Sequence, residues 1–331
     1  MNNFFFYGFN SATIWTWIAL VAGLIITNEI ARRYKWAGIF TFAVLPVFLT
    51  IWWGISASHN GGPIVPSTAN VFGWIKAYSA IVGCLGFMWI RYGNGKIAKS
   101  KWLLIFPAAI LIINILEAVF YDFYNYARYL QYTNSINILD GEIVNGYMHP
   151  EAHIIYRSGP WNIMNGIAGI LNILTISGWF GIKVSNKKSR DMIWSDQLWF
   201  WIIAYDVWNI AYCYNNISNR SMYAGVALIV SCTIAEFFIQ RGAWLQHRAQ
   251  TLAIFAMFSL SVPYENYAAF QIHGTNNPTA LNLLSALALA INILVACYAI
   301  YRIVKTKTNP LKDELYKDLK AYRENMQFCQ K

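Results

Sequence analysis

The sequence has 331 residues, of which 57% are hydrophobic and only 12% are charged. Soluble domains carry about 25% charged residues, so this composition argues against a soluble protein and for a lipid bilayer as its surroundings. The formal net charge is +10, but the basic residues lie in short loops between apolar runs. That placement is typical of membrane topology rather than of nucleic-acid binding, and we expect no nucleic-acid partner.

Apolar runs long enough to cross a membrane recur along the chain. About 20 mostly apolar residues cross the hydrocarbon core as a helix. The sequence therefore predicts an all-α, polytopic membrane protein with nine spans. Their approximate bounds are 11–30, 37–57, 71–90, 102–121, 160–182, 193–213, 222–240, 251–270 and 279–303.

The loops between these spans alternate in charge. One set, around residues 32–35, 91–101, 183–190 and 241–248, holds most of the Lys and Arg residues together with the tail from 302 onward. The opposite loops contain only Arg128, Arg157 and Arg220. Because basic loops stay in the cytosol, this asymmetry predicts an external N-terminus and a cytosolic C-terminus.

The predicted outer loop, 122–159, contains the pattern His149, Glu151 and His153. In the zinc-protease helix the glutamate directly follows the first histidine, whereas here Pro150 does. We therefore expect a solvated loop that holds no metal, and we expect no cofactor.

The tail, 304–331, follows the predicted bundle of residues 1–303. Asn309 and Pro310 are suited to start a helix, and Leu311, Leu315 and Leu319 follow at helical spacing. The pattern predicts an amphipathic helix from Pro310 to Tyr322. Such a helix lies on the inner membrane surface or docks a partner.

Two hairpins of the predicted bundle are related in sequence. Residues 71–128 can be laid on 157–220, with Trp102 on Trp194 and Arg128 on Arg220. Both hairpins run in the same direction, so the pattern predicts a parallel internal duplication.

Four ionisable residues lie inside predicted spans: Lys76, Glu117, Asp206 and Glu265. An ionisable side chain costs roughly 2.5–3.5 kcal/mol at the bilayer centre. At 1.5 Å per residue, all four lie at a similar depth, about 20 Å from the cytosolic edge. We expect a polar chamber in the outer half of the bilayer, with Lys76 paired to Glu117. The alternative is that these groups only hold the helices together. The predicted chamber residues are Lys76, Glu117, Asp206, Asn209, Glu265, Asn165 and Trp208.

Three segments carry a family resemblance: SGPWNIMNGIAG (158–169), YDVWNIAYCYNNISNRS (205–221) and RGAWLQHRAQTL (241–252). They resemble a family of uncharacterised bacterial multi-span membrane proteins. The resemblance implies a bacterial cytoplasmic (plasma) membrane location and implies no activity.

The polar chamber favours a transporter or permease-like protein for a small polar or aromatic-compatible solute. One alternative is an intramembrane enzyme that uses the same carboxylates, with His149, His153 and a metal as further components. Another is a ligand sensor that signals through the tail. Polar residues along one path in both leaflets would favour transport, and a single pocket would favour an enzyme. The sequence leaves a homo-oligomer open.

Overall fold

The computed structural model describes residues 4–93, 100–132, 137–139, 142–144, 148–151 and 154–329. The described part of the chain is mostly helical. Its nine long helices are α1 (Ser11–Arg33), α2 (Lys35–Ala57), α3 (Val71–Tyr92), α4 (Ile105–Tyr132), α5 (Pro160–Leu174), α6 (Trp199–Asn216), α7 (Ser221–Ile239), α8 (Trp244–Ser261) and α9 (Pro278–Thr306).

Six of the nine helices are long and apolar enough to cross a membrane, namely α1, α2, α3, α4, α7 and α9. This property identifies a membrane protein. The remaining three, α5, α6 and α8, have 15, 18 and 18 residues, so they are shorter than the spans predicted at 160–182, 193–213 and 251–270.

The segment between α5 and α6 explains part of this difference. Residues predicted as the end of one span and the start of the next form a hairpin of β6 (Ile182–Val184) and β7 (Met192–Trp194). Trp194 and Asp196 are buried there. Trp194 is shielded by protein, so its apolar character does not indicate a membrane span.

Helix α8 begins seven residues before the predicted position and ends nine before it. Its first turns contain the buried residues Gln246, His247 and Arg248, whose polarity hides the helix from a hydropathy reading. It ends at Ser261, two residues before Pro263, which has no N–H group to continue a helix. The segment after it contains only short turns and a two-residue strand.

Local signals start the other helices as the sequence suggests. Asn10 caps α1 by accepting a hydrogen bond from the backbone N–H of Thr13 at 3.0 Å. Asn277 caps α9 in the same way through the N–H of Thr279, and Pro278 occupies the first turn.

Three more pairs of short antiparallel strands lie outside the long helices. β1 (Phe6–Tyr7) pairs with β8 (His273–Gly274). In the predicted outer loop, β2 (Asn137–Leu139) pairs with β3 (Glu142–Val144), and β4 (Met148–Glu151) pairs with β5 (Ile154–Arg157). The backbone of His149 and Glu151 therefore lies in β4, whereas His153 lies outside the described residues.

The long helices pack in two groups. Helix α5 packs against α4, α6 and α9 in one group. In the other, α8 packs against α3, α7 and α1. Contacts between α3 and α4 and between α6 and α7 join the two groups, and this junction encloses the site described below.

The tail differs from the helix predicted over Pro310–Tyr322. Residues 310–319 form two short turn segments separated by a bend, and only Lys320–Met326 is helical, as α10. The reason is a buried carboxylate: Asp196 accepts the backbone N–H groups of Leu315 at 2.8 Å and Tyr316 at 2.9 Å. Leu315 and Tyr316 are buried against Leu198 and Ala299, so the tail packs on its own bundle.

Candidate functional site

A cavity of about 150 Å³ lies at the junction of the two helix groups. Residues of α3, α4, α6, α7 and α8 line it. Along α8 the lining extends from Leu245 to Leu260, a rise of about 22 Å at 1.5 Å per residue. The cavity is therefore narrow and elongated, and it follows the long direction of the helices.

Three cationic side chains line this cavity: Lys76 of α3, Arg220 before α7 and Arg248 of α8. Among the described residues, no Asp or Glu lines it. Apolar and aromatic side chains, including Phe87, Leu228 and Phe255, form most of the remaining wall. A positive interior with an apolar wall suits a small anion that has an apolar body.

Arg248 is the most informative of these cations. It is 7% exposed and lies one turn into α8. Its Nη2 atom lies 3.5 Å from Oδ1 of Asn209, which is a long contact for a hydrogen bond. Its Nε and Nη1 atoms are buried and make no close hydrogen bond to the described residues, although the hydroxyl of Tyr205 lies near the guanidinium. A buried guanidinium with unused donors is costly, so an anion or water in the cavity would stabilise it.

Lys76 lies in the cavity wall as predicted, but it does not form the predicted ion pair with Glu117. Its Nζ atom lies 5.4 Å from the ring centroid of Tyr212, in cation–π range. Among the described residues, no ion pair joins Lys76 to Glu117. Glu117 does not line the cavity, and its buried Oε1 atom has no hydrogen-bond partner among the described residues.

Glu265 lies outside the helix in which the sequence placed it. It is part of a 3₁₀ turn, Tyr264–Asn266, and forms an ion pair with Arg220. Arg220 also donates from Nη2 to the hydroxyl oxygen of Ser67 at 3.2 Å. The pair lies at one end of the cavity, where Arg220, Ser67 and Tyr264 belong to the lining.

Asp206 and Asn209 are one helical turn apart on α6 but have different surroundings. Asn209 lines the cavity. Asp206 instead faces α7, where its Oδ2 atom accepts a hydrogen bond of 2.7 Å from the hydroxyl of Thr233. The carboxylate of Asp206 therefore ties two helices together at its Oδ2 atom and is not in the cavity wall.

Asn165 and Trp208 belong to a second buried cluster, where α4, α5 and α6 meet. Asp122 accepts hydrogen bonds from the Nδ2 atoms of Asn162, Asn165 and Asn216 at 3.1, 2.8 and 2.8 Å. Trp208 donates from Nε1 to the backbone oxygen of Asn165 at 3.0 Å. The cluster satisfies a buried carboxylate with amides, and it does not line the cavity.

Sequence reasoning missed two residues that matter most here. Arg248 was assigned to a basic loop and Asp122 to the start of the outer loop. Asp122 had a detectable signal, because it lies between Tyr121 and Phe123 and directly extends a predicted span, whereas the polar neighbours of Arg248 gave none. Among the described residues, no three His, Cys, Asp or Glu side chains come together to hold a metal ion.

The fold and the cavity define a membrane protein whose helices enclose a narrow, positively charged interior. The chain belongs to the family of unknown function DUF5692, whose model matches residues 9–328. This match confirms the resemblance to an uncharacterised family. A comparison with curated proteins gives no match, and neither does a comparison with solved structures.

Proposed function

We propose that this chain is a permease-like membrane protein that binds a small organic anion in the cavity between α3, α4, α6, α7 and α8. The observation that carries the proposal is the buried guanidinium of Arg248 in the wall of that cavity: beside Tyr205 and Asn209, two of its donor atoms make no close hydrogen bond to the described residues. A carboxylate accepts two parallel hydrogen bonds from one guanidinium, so a monocarboxylate is the anion that this side chain suits best.

The apolar lining supports a ligand with an apolar or aromatic body. A cavity of about 150 Å³ holds a molecule of about the size of benzene. Phe87, Leu228 and Phe255 would contact that body, while Arg248 and Lys76 offset its charge. Together these contacts favour a compact aromatic or branched monocarboxylate over a sugar or a nucleotide.

The shape of the cavity supports transport over catalysis. Its lining follows α8 for about 22 Å, most of the thickness of a bilayer core, and cations lie near both ends. The carboxylates that an intramembrane enzyme would use, Glu117, Asp206 and Glu265, are not in the cavity wall.

The topology belongs to the same proposal. We propose that all nine long helices cross or enter a bacterial plasma membrane, with the N-terminus outside. The basic residues that support this orientation lie at one end of the fold, near Arg32, Lys187 and the tail. Arg248 no longer contributes to that count because it is buried in α8.

The test compares benzoate with benzyl alcohol, which has a similar ring and no charge. Purified protein in detergent should bind benzoate more tightly, measured by calorimetry or by the shift in its unfolding temperature. Arg248→Gln should weaken the binding of benzoate by roughly tenfold to a hundredfold, which is the range for a hydrogen bond to a charged group. The affinity for benzyl alcohol should stay unchanged. Equal benzoate affinity in both proteins would refute the anion site.

A second pair of variants tests whether the cavity is the site. A Cβ atom on Gly83 would lie 3.6 Å from Ile110, so Gly83→Leu would project a larger side chain into the cavity. Binding of both probes should be lost. Gly23→Leu is the matched control, because the space around Gly23 on α1 is open. Uptake of labelled benzoate into proteoliposomes then separates transport from binding alone.

A further inference from the structure

A second pocket lies at the basic end of the fold, remote from the cavity lining described above. It has a volume of about 320 Å³ and lies between the end of α1, the β6–β7 connection and the end of α7. The residues that line it are Arg32, Arg33, Tyr34, Lys187, Lys188, Ser189, Ile239 and Gln240.

The charge of this pocket is strongly positive. Four of its lining residues are cations, and no carboxylate of the described residues lines it. Arg32 and Arg33 already form ion pairs, Arg32 with Glu29 and Asp191 and Arg33 with Glu29. The two lysines are therefore the cations that remain available to a ligand.

Lys187 and Lys188 are both exposed. Nζ of Lys187 donates to Oε1 of Gln240 at 2.8 Å and lies 4.0 Å from the ring centroid of Phe328. These contacts position the ammonium group without neutralising it. Among the described residues, no carboxylate lies within ion-pair distance of either lysine.

Large, exposed aromatic side chains lie on the segments that form this pocket. Tyr34 is 63% exposed, Trp36 is 76% exposed and Phe238 is 83% exposed. Tyr34 lines the pocket, Phe238 is adjacent in sequence to the lining residue Ile239, and Trp36 lies two residues beyond Tyr34. Exposed aromatic side chains beside basic ones mark the level where the acyl chains of a bilayer meet its headgroups.

We propose that this pocket binds the headgroup phosphate of an anionic phospholipid, with the acyl chains against Trp36 and Phe238. The lysines supply the charge, and the aromatic rim explains why a lipid is favoured over a free phosphate ion. Basic pockets at the ends of membrane helices suit such headgroups, and each lysine near a membrane surface contributes about a fivefold change in affinity. The site is independent of the function proposed for the cavity.

The experiment titrates delipidated full-length protein with dioleoyl phosphatidylglycerol or dioleoyl phosphatidylcholine and follows the bound lipid by native mass spectrometry. Phosphatidylglycerol should bind more tightly to the unaltered protein. The double variant K187Q/K188Q should weaken its binding about twenty-fivefold, at about fivefold for each lysine, and should leave phosphatidylcholine unchanged.

The matched control is K305Q/K312Q, which removes the same charge from two exposed lysines outside the pocket. It should retain the preference for phosphatidylglycerol. Lys188→Glu provides a second variant at an exposed position and should abolish that preference even where the double variant folds poorly. Equal losses in the pocket and control variants would overturn the proposal. So would displacement of the lipid by an equal concentration of inorganic phosphate, because that result assigns the pocket to the free ion.

Discussion

Asn165 donates a hydrogen bond of 2.8 Å from Nδ2 to Oδ2 of Asp122, and this bond joins α5 to α4 inside the protein. Two further amides donate to the same carboxylate, from Asn162 and Asn216. The carboxylate of Asp122 on α4 therefore accepts hydrogen bonds from both α5 and α6, and it links the three helices.

Asp122→Asn tests this cluster. The substitution keeps the shape of the side chain but replaces one acceptor by an NH₂ group that faces other donors. We expect a loss of about 1–3 kcal/mol in the free energy of unfolding. Thermal unfolding of purified protein measures it. Asp313→Asn, at an exposed position in the tail, is the control and should change little. An unchanged unfolding temperature for Asp122→Asn would contradict the assignment.

A second prediction concerns Asp191, which lies in the connection before β7. Oδ2 of Asp191 accepts from Nη1 of Arg32 at 2.6 Å and from the hydroxyl of Ser189 at 2.6 Å. Burial raises the pKa of Asp191, but the charge of Arg32 and the bond from Ser189 outweigh it, so the pKa lies below its ordinary value of 3.8. Its contribution to stability is therefore full above about pH 4 and is lost as the pH falls further.

Asp191→Asn should remove that part of the acid dependence. Because it leaves the buried Arg32 with less compensation, we expect a loss of about 3–5 kcal/mol at neutral pH. Unfolding temperatures measured from pH 7 to pH 3 provide the test. The difference between the variant and the unaltered protein should narrow toward low pH; a constant difference would show that the carboxylate charge is not responsible.

A third prediction concerns the close contact of α5 with its neighbours at Gly169. A Cβ atom there would lie 2.5 Å from Cγ2 of Val119 and 2.9 Å from Nε1 of Trp208. Gly169→Ala should therefore cost about 1–3 kcal/mol through overpacking. Gly23→Ala is the control, since no atom of the described residues lies within 4 Å of a Cβ atom built there and alanine favours helix. Similar unfolding temperatures for the two variants would refute the close packing.

A fourth prediction concerns the attachment of the tail. Asp196 accepts backbone hydrogen bonds from Leu315 and Tyr316 and a hydroxyl hydrogen bond of 2.5 Å from Ser177. Asp196→Asn leaves only one acceptor atom in the side chain, so one of the two backbone N–H groups loses its partner. Loss of one hydrogen bond should weaken the attachment of the tail by about 1.4 kcal/mol. Limited trypsin digestion at the tail lysines should therefore become roughly tenfold faster. Unaltered digestion would mean that packing alone holds the tail.

The helical class and the positions of most helices follow from the sequence, because apolar runs of span length have few other stable forms in lipid. The bounds of α5, α6 and α8 do not follow. Hydropathy cannot distinguish Trp194, buried by protein, from a residue facing lipid, nor can it recognise Arg248 as part of a helix. The candidate site was predicted in part: Lys76 and Asn209 line the cavity, whereas Asp206 and Glu265 bind neighbouring side chains instead.

Helical periodicity also could not decide which neighbour each polar face meets. Lys76 and Glu117 satisfy the spacing expected of paired residues, but helix α3 packs chiefly on α8 rather than on α4. The choice of neighbour depends on tertiary packing of many side chains at once. That information is spread over the whole chain, and the polar face of a single helix does not contain it.

A fifth prediction tests the orientation. In a protein whose five native cysteines are replaced by serine, a cysteine at position 59, in the exposed loop between α2 and α3, should react with a membrane-impermeant maleimide in intact cells. A cysteine at position 187 should react only after the membrane is permeabilised. Modification of position 187 in intact cells would contradict the proposed orientation.

The pairing of β1 with β8 has a consequence for the order of events during synthesis. Phe6 is made well before its partner in the ladder, Gly274, which lies 268 residues further along the chain. At roughly 5–20 residues per second, the ribosome needs at least about ten seconds between the two. Throughout that interval the first strand has no partner. The final closure of this end of the molecule therefore waits until α8 has been completed, whatever the earlier helices have already done.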